Sequence, residues 1–464
     1  MKKILTITLA TALLSSCGVL KNYERPASLR TDGIYADAQS GDSLGLGDLK
    51  WREVFTDPTL QALIEKALAQ NTNLVNADLR IQQAEYALRA TRLAYVPSLY
   101  FTPQGTVTKL YDPYDRSAYS ALTAGNSKTY GLPLTLGWQS VNFLQLRNQK
   151  KGAEVSREQL RNQRQAVQAQ LVANVATMYY RLTMLDEQLQ MMEQTKRNWA
   201  TYLDMQRKLM EAGQANTAAV ATIEATYHSI CSSIVSLEDN ICIIENNLST
   251  LLGETVHTVE RGTLDTFRAP ALLTTGVPIR LLARRPDVRA AELTLAAAFY
   301  DQNSAKAAFW PSLSLTATGQ YTNSLGSTIL NPGMLIGAAV ASLTQPIFAN
   351  GRLRAQYKTS KAQVEIASND FQQAVIAAGN EVNSAMAALN SAEEQKELLG
   401  KQVAALETAL DATQKLYAYS SVNYLNVITA QNSLITARMD YITNRMNAIA
   451  ATVTLYQTLG GGAE

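Results

Sequence analysis

The stretch AFWPSLSLT, residues 308–316, closely resembles a stretch 214 positions earlier, AYVPSLYFT at residues 94–102. In both places a Pro-Ser-Leu phrase separates a segment of helical character from a segment that alternates polar and apolar residues. A phrase repeated with its flanking segments is a sign of a duplicated structural module, because each copy then folds as the same unit. The match therefore predicts that the chain contains two copies of one unit.

The prolines limit where long helices can run. None of the twelve prolines lies between residues 134 and 269 or after residue 346, and proline breaks the interior of a helix. Each of these long stretches follows two short segments of strand character, which in turn follow helical segments at 57–95 and 287–309. The sequence thus predicts a helix–strand–strand–long helix–helix unit that occurs twice.

The first seventeen residues, MKKILTITLATALLSSC, have the organisation of a secretory signal. Lys2 and Lys3 precede an apolar run from Ile4 to Leu14, which is too short to cross a bilayer as a permanent helix. The run ends in LSSC, which resembles the lipobox of bacterial lipoproteins, so we expect Cys17 to be lipidated. An ordinary signal peptide that is cut nearby, with Cys17 incidental, is the alternative. One lipid group anchors weakly, and further membrane contacts are expected.

Together these features predict the organisation of the whole chain. The predicted parts are a signal peptide at 1–16, a lipidated N-terminal segment at 17–55, a first repeat at 56–254 with strands at about 97–109 and 128–141, an inter-repeat linker at 255–283, and a second repeat at 284–464 with strands at about 311–323 and 334–347.

The segment YGLPLTLGWQ at 130–139 alternates in a way that could suit a strand in contact with lipid. Tyr130, three leucines and Trp138 share one face, and the two aromatic ends lie about 26 Å apart along a strand. Aromatic ends around an aliphatic middle are typical of the lipid side of a membrane barrel strand. A soluble antiparallel sheet with one hydrated face gives the same alternation, so both interpretations stay open for a single strand.

The number of strands is more informative than any one of them. Two strands per repeat give four, whereas the smallest bacterial barrels use about eight. An open four-stranded sheet in lipid would leave edge N–H and C=O groups unpaired, at several kcal/mol each. If these strands enter a membrane, several copies must share one barrel, and three copies would supply twelve strands.

The long helical segment at 143–212 would be about 105 Å in length, so it must lie against other helices. Its apolar residues recur every three or four positions and predict one buried stripe. A coiled coil that only separates or scaffolds is one interpretation, and a tube of helices that continues a tube of strands is the other. The predicted stripe consists of Val167, Leu171, Val175, Met178, Leu182 and Leu185.

The composition argues against several other classes of protein. Lys+Arg number 41 against 39 Asp+Glu, which is not the balance of a nucleic-acid binder. His228 and His257 are not spaced as a ligand pair, and no Cys-x-x-Cys occurs, so we expect no metal site, no cofactor and no enzymatic activity. Cys231 and Cys242 would lie about 16 Å apart on a helix, too far for a disulfide, and we expect them to be buried.

The most specific motif is LLARRPDVRAAELTLAAA at 281–298, which stands beside AAFWPSLSL, TQPIFANGRLRA and YLNVITAQNSLITARMDY. With these motifs the chain resembles the TolC-type outer membrane factors, in particular the NodT-like lipoprotein branch of multidrug efflux systems. The resemblance implies a mainly α fold with a small membrane β portion. It implies a homotrimer whose twelve-stranded β-barrel is continued by a twelve-helix α-barrel.

The same resemblance implies a function. The protein would be a passive exit duct for small molecules, lipid-anchored in the outer membrane and extending into the periplasm. Its partners would be a periplasmic adaptor and an inner-membrane pump of the resistance–nodulation–division type. The alternative is a lipid-anchored periplasmic coiled-coil spacer without a pore.

The resemblance also places a periplasmic gate at the helix breaks near Gly213 and Ser420. Tyr417 falls where the family often has a constriction tyrosine. Where some relatives carry acidic residues, this chain has Asn426 and Thr429, so we expect the gate to depend on hydrogen bonds and packing more than on ion pairs. The alternative is that Asn426 and Thr429 are ordinary solvated helix residues.

Overall fold

The computed structural model describes residues 21–26, 46–109, 126–255, 258–267, 285–322, 334–419 and 424–463. Cys17, His257 and Ser420 lie outside the described residues. The helices are α1 Trp51–Val54, α2 Pro58–Gln70, α3 Thr72–Leu93, α4 Phe143–Glu211, α5 Thr217–Leu252, α6 Pro286–Ala307, α7 Arg352–Ala418 and α8 Tyr424–Thr458. The strands are β1 Ser98–Phe101, β2 Gln104–Lys109, β3 Asn126–Val141, β4 Ser312–Thr322 and β5 Met334–Thr344.

Contacts between residues divide the chain into two compact units. The sheet unit comprises residues 1–27, 82–158 and 292–369, and the helix unit comprises residues 28–81, 159–291 and 370–464. Each unit draws on both sequence repeats, so the repeat boundaries stay a prediction. No described helix has both the length and the apolar character that a membrane-crossing helix needs.

The predicted helical segment at 57–95 is two helices. Asp57 caps α2 by accepting from the backbone N–H groups of Thr59 and Leu60 at 2.9 and 3.3 Å, and Pro58 occupies the first helical position. Asn71 then interrupts the segment. Its carboxamide oxygen accepts from the backbone N–H of Leu74 at 3.3 Å, as a cap of α3 does. The helical character predicted for this segment is therefore present, divided at Asn71 because its side chain starts a new helix.

The sheet unit contains one antiparallel sheet with the strand order β1–β3–β4–β5. Strand β2 also pairs with β3, along residues 126–131, whereas β1 pairs along residues 134–137. The pair β1 and β2 thus forms one edge of the sheet, interrupted at Thr102 and Pro103. Proline has no N–H group to donate to a neighbouring strand, so it is confined to edges and interruptions such as this one.

Register gives the sheet two chemically different faces. Leu132, Leu134 and Leu136 of β3 lie opposite Tyr321, Gly319 and Ala317 of β4. The three leucines are between 45% and 48% exposed, so this apolar face is uncovered. On the other face the hydroxyl oxygens of Thr135 and Thr318 lie 3.3 Å apart. The alternation predicted for β3 is therefore present, with its apolar side uncovered.

Both edges of this sheet are open among the described residues. Strand β5 pairs with β4 alone over eleven residues, and β1 and β2 pair with β3 alone. Each edge therefore presents backbone N–H and C=O groups that no described strand satisfies.

Helix α4 buries more than the predicted stripe. Leu171, Val175, Leu182 and Leu185 are buried as predicted, whereas Val167 and Met178 are only half-buried. Between Leu171 and Leu185, four further residues are almost fully inaccessible, at 0–1% exposed. The single stripe was too narrow because α4 packs against more than one neighbour in the helix unit. These additional residues are Val172, Ala176, Tyr179 and Tyr180.

Helix α7 carries a regular buried stripe with spacings of four and three residues. This is the seven-residue repeat with which helices pack side by side in coiled coils. Alanine alternates with larger side chains along the stripe, and small residues allow neighbouring backbones to approach. The stripe consists of Phe371, Val375, Ala378, Val382, Ala385, Leu389 and Ala392.

The prediction that both cysteines are buried was wrong. Cys231 is half-buried and Cys242 is exposed, and both are free thiols. The buried face of α5 is set by larger aliphatic residues such as Ile230 and Ile234. One residue corresponds to about 100° of helix rotation, so Cys231 points away from the face that Ile230 buries.

Three helices end in the same glycine-dependent turn. After α4, the N–H of Gln214 donates to the carbonyl of Leu209 at 2.8 Å and the N–H of Gly213 donates to that of Met210 at 3.0 Å. Gly213 has a φ of 73°, a conformation that side-chain-bearing residues avoid. Gly253 and Gly460 close α5 and α8 in the same way, and the distance of 207 positions between them matches the duplication.

Two glycine-to-alanine changes should have opposite effects on stability. Gly213→Ala forces alanine into the left-handed conformation, and we expect a loss of about 1 kcal/mol. Gly400→Ala lies within α7, where its Cβ would be 3.7 Å from Tyr441, and we expect a gain of about 1 kcal/mol. Urea unfolding in detergent measures both, and two changes of the same sign would contradict the assignment.

Candidate functional site

The predicted gate lies where long helices end. Helix α4 gives way to α5 across the Gly213 turn, and Asn216 caps α5 by accepting from the N–H of Ala219 at 2.8 Å. Helix α7 ends at Ala418 and α8 begins at Tyr424. Ser420 lies 207 positions after Gly213, which is the same spacing that relates the other two capping glycines.

Four aromatic side chains join α4, α7 and α8 next to these ends; we call them the tip aromatic cluster. The rings of Tyr417 and Tyr424 are 5.1 Å apart. Tyr424 meets Tyr202 of α4 at 6.4 Å, and Tyr202 meets Trp199 at 6.4 Å. Aromatic pairs at these distances each add about 1 kcal/mol beyond area burial. The cluster therefore fastens the ends of α7 and α8 to α4.

Tyr424 is the buried centre of this cluster. It is 6% exposed, and its hydroxyl has no hydrogen-bond partner among the described residues. Burial, with smaller contributions from Tyr202 and Tyr417, raises the pKa of Tyr424 well above its usual value. The ring therefore stays neutral at physiological pH. Of these four residues the sequence marks Tyr417 alone, because nothing in it shows that Tyr202 and Tyr424 meet.

Asn426 and Thr429 occupy a different face of α8 from Tyr424. Both are exposed, whereas Tyr424 is buried. The hydroxyl of Thr429 donates to the carbonyl of Leu425 at 2.9 Å, a bond within its own helix. The structure thus packs Tyr417 into the tip aromatic cluster and leaves Asn426 and Thr429 at the surface of the chain.

Ion pairs occur near the helix ends, and they are exposed. Arg207 of α4 pairs with Glu224 of α5 at 2.9 Å, with both side chains about half exposed. Lys415 pairs with Asp411 within α7 at 2.7 Å. Exposed pairs contribute at most about 1 kcal/mol. Packing of the aromatic cluster is the stronger of the described interactions at this end.

Arg285, from the most specific sequence motif, holds three helices together. The residue is 7% exposed. Its guanidinium donates to Asp287 through Nε at 3.0 Å and through Nη2 at 2.6 Å. Nη2 also donates to Glu381 of α7 at 2.6 Å, and Nη1 donates to the carbonyl of Thr458, the last residue of α8, at 3.1 Å. One side chain therefore ties the start of α6 to α7 and to the end of α8.

The Arg285 network borders a polar groove of about 1110 Å³ in the helix unit. Small and amide-bearing residues of α7 and α8 line most of it, among them Ser384, Ala388, Asn444 and Asn447. The carboxamide of Asn444 donates to the carbonyl of Ala392 at 2.8 Å. The lining offers hydrogen bonds with little fixed charge, and no group of His, Cys, Asp and Glu among the described residues could hold a metal ion.

The same fold and motifs characterise a known family. A model of the outer membrane efflux proteins matches the chain twice, at residues 63–254 and 277–461. The chain belongs to the outer membrane efflux protein family.

Relatives match the chain over nearly its whole length. The cation efflux system protein CusC of Escherichia coli K12 is 27% identical, over 99% of both chains. The probable efflux pump outer membrane protein TtgC of Pseudomonas putida is 26% identical, over 99% of this chain and 96% of the relative.

Solved structures share the fold. A structure of CusC superposes with a TM-score of 0.83 at 25% identity, covering 96% of this chain and 100% of the other. The open-state MtrE outer membrane channel of Neisseria gonorrhoeae has a TM-score of 0.83 at 24% identity, covering 96% and 98%.

The comparisons confirm several predictions. The family, the fold class of a mainly α chain with a small β portion and the outer-membrane location are confirmed. The protein is the exit duct of an efflux system, and its predicted partners are confirmed as well: further copies of the chain in a trimer, a periplasmic adaptor and an inner-membrane pump. Members of the family are transport proteins, and the spacer without a pore is set aside.

Removing the Arg285 side chain should strongly destabilise the helix unit. In Arg285→Met the Thr458 carbonyl loses its donor and two carboxylates lose their partner, and we expect a loss of about 3 kcal/mol. Arg289→Met changes an exposed arginine of the same helix and should shift stability by less than about 0.5 kcal/mol. Urea unfolding followed by circular dichroism measures both, and equal effects would contradict a special role for Arg285.

The Asp287 carboxylate makes this network depend on pH. Burial favours its neutral form, but the hydrogen bonds and charge of Arg285 outweigh burial and lower the pKa of Asp287 below 3.8. The contribution is thus fully present above about pH 4 and is lost as the pH falls through the folded-state pKa. The stability difference between the native chain and Asp287→Asn should shrink below pH 4. A difference that is constant from pH 6 to pH 2 would contradict this.

Proposed function

We propose that three copies close one passive conduit, in which the sheet of each copy supplies a third of the wall. The two open edges of the sheet, together with its uncovered apolar face, carry this proposal. In lipid, unpaired backbone groups cost several kcal/mol each, so each edge must find a strand. The edge of another copy is the partner that the trimer provides.

The strand directions permit this closure. Each step from β1 through β3 and β4 to β5 is antiparallel, so β5 runs opposite to β1. Strand β5 of one copy can therefore pair antiparallel with the β1–β2 edge of the next. Three copies with four strand positions each give an even-numbered antiparallel barrel of twelve strands, with the leucines of β3 toward lipid and the threonines of β4 toward the lumen.

Neighbouring residues of β3 should differ sharply in their tolerance of charge. Leu134→Lys places an ammonium on the lipid side, at a cost of about 2–4 kcal/mol, and we expect little heat-modifiable trimer in the outer membrane. Thr135→Lys places the same group on the lumen side and should assemble normally. The reverse order, or equal assembly of both variants, would contradict the assignment of the faces.

We also propose that Tyr417, Asn426 and Thr429 form the periplasmic gate. Tyr417 acts through the tip aromatic cluster, which holds α7 and α8 against α4. Asn426 and Thr429 are exposed on α8 and available to the other copies of the trimer. Because neither carries a charge, the closed gate depends on packing and hydrogen bonds, and salt should weaken it little.

Adding charge to the gate should create a cation block. The conductance of native trimers in planar bilayers should be insensitive to multivalent cations on the periplasmic side. The double variant Asn426→Asp with Thr429→Asp adds six carboxylates per trimer, and micromolar trivalent cations should then block it. Strong block of the native channel would contradict an uncharged gate.

The remaining features of the proposal concern the anchor, the energy and the cargo. We propose that Cys17 is lipidated, that the protein has no enzymatic activity, and that a pump of the resistance–nodulation–division type drives transport. The names of relatives refer to the efflux of cations, toluene and antibiotics, so we propose only small molecules as cargo. The groove lined by amides and hydroxyls of α7 and α8 is consistent with a surface of low selectivity.

A further inference from the structure

The segment Lys21–Pro26 follows the proposed lipidation site and lies against α6 in the sheet unit. Arg25 donates to Glu292 through Nε at 2.7 Å, and its Nη2 pairs with the second carboxylate oxygen. The ring of Tyr23 meets Phe299 edge-on at 5.9 Å. The carboxamide of Asn303 donates to the carbonyl of Lys21 at 3.1 Å. Contacts therefore run along the whole segment.

A second helix also holds the segment. The Nζ of Lys151, on α4, donates to the carboxamide oxygen of Asn22 at 2.6 Å. The same ammonium lies 5.5 Å from the centre of the Tyr300 ring. The segment is thus held by an ion pair, a ring contact and two hydrogen bonds, which is more than one adventitious surface contact provides.

The order of these contacts gives the segment a direction. Lys21, Tyr23 and Arg25 meet Asn303, Phe299 and Glu292, so the segment runs antiparallel to α6. Toward its N-terminus it leads to the end of α6 at Ala307, after which β4 begins at Ser312. Lys21 lies four positions after Cys17, and four positions of extended chain span at most about 14 Å.

We infer that Lys21–Pro26 is a strap, held by Glu292, that fixes where the lipid anchor enters the membrane relative to the sheet. This inference rests on the proposed lipidation of Cys17. A tether of about 14 Å keeps the lipid close to the end of the sheet that α6 leads into. A short tether raises the effective concentration of the strands at the membrane surface, so the strap favours insertion of the sheet beside its own anchor.

The structure assigns Glu292 the central part in this arrangement. Its side chain is 16% exposed, whereas that of Arg25 is 51% exposed, so the carboxylate is the fixed member of the pair and the arginine is the member that docks. Glu292 belongs to the motif that gave the most specific resemblance, together with Arg285. In this chain the two residues act at different places: Arg285 ties helix ends together, and Glu292 positions the strap.

A charge exchange tests the strap. Glu292→Arg and Arg25→Glu each place like charges opposite one another, and the double variant restores the pair with its members exchanged. The control is Glu365→Arg, which removes an exposed carboxylate from α7, also in the sheet unit. Full-length proteins are expressed with radiolabelled palmitate. Three quantities are measured: label per chain, the fraction of heat-modifiable trimer in the outer membrane, and the rate of trypsin cleavage after Lys21 in purified trimers.

Each single variant should lose at least threefold in trimer fraction and gain about tenfold in cleavage after Lys21, with label per chain unchanged. The double variant should recover to within twofold of the native chain, and the control should match the native chain. Native trimer fraction and native cleavage in both single variants would overturn the proposal. Single variants that are impaired and not restored by the exchange would also overturn it.

Two further measurements keep the outcomes distinct. If neither single variant folds, Asn303→Ala, which removes one strap contact without adding charge, should still raise the cleavage after Lys21 in assembled trimers, and an unchanged rate would overturn the strap.

Absence of palmitate label from the native chain would refute lipidation of Cys17, and with it the role of the strap in anchoring. The conductance of whatever trimer forms tests the conduit separately from the strap.

Discussion

The fold of this protein depends on one unmet requirement, the pairing of backbone groups along the two edges of its sheet. A β-sheet in lipid must close, since no water is present to satisfy an exposed N–H or C=O. Strand β5 and the β1–β2 edge each have one strand neighbour among the described residues. The apolar face of β3 is uncovered in the single chain. The sheet of one chain is therefore complete only within the trimer, and closure of the three sheets forms the conduit.

The helices also need neighbours, but for their apolar side chains rather than for their backbone groups. A helix satisfies its own backbone, so α4 and α7 need partners only for their side chains. The buried stripe of α7 has the seven-residue spacing of coiled coils, and α4 is buried over a wider surface. The helix ends need specific groups to satisfy their free carbonyls. Glycines in left-handed turns close α4, α5 and α8, and the guanidinium of Arg285 donates to the carbonyl of the last residue of α8.

Local patterns predicted the elements of this fold well. The proline-free stretches predicted α4 and α7, and alternation predicted the apolar face of β3, because both depend on residues close in sequence. Strand β5 was harder to recognise, since its sequence alternates poorly. Register places Val340 opposite Thr316 and Leu343 opposite Leu313, so apolar side chains occur on both faces of this edge strand. The side chains of an edge strand that pairs with a second chain also have to fit that chain, so their polar and apolar pattern within one chain need not alternate.

Contacts between distant residues could not be predicted from the sequence. Tyr202 and Tyr424 are 222 positions apart, and Arg285 and Glu381 are 96 positions apart. The motif marked Arg285 as notable without showing which carboxylate or carbonyl it would bind. Both cysteines were expected in the core because cysteine is often buried, but their position on α5 lies off the face that Ile230 and Ile234 define. Spacing along a helix fixes which residues share a face, whereas tertiary packing decides which face is buried.

The most direct test of trimeric closure is the native mass of the protein extracted from the outer membrane in mild detergent. We expect a single species of three processed chains. On dilution, no single chain should remain stable while its sheet stays folded. A stable monomer whose sheet remains folded and pore-forming would contradict it, because one chain would then have satisfied both edges by itself.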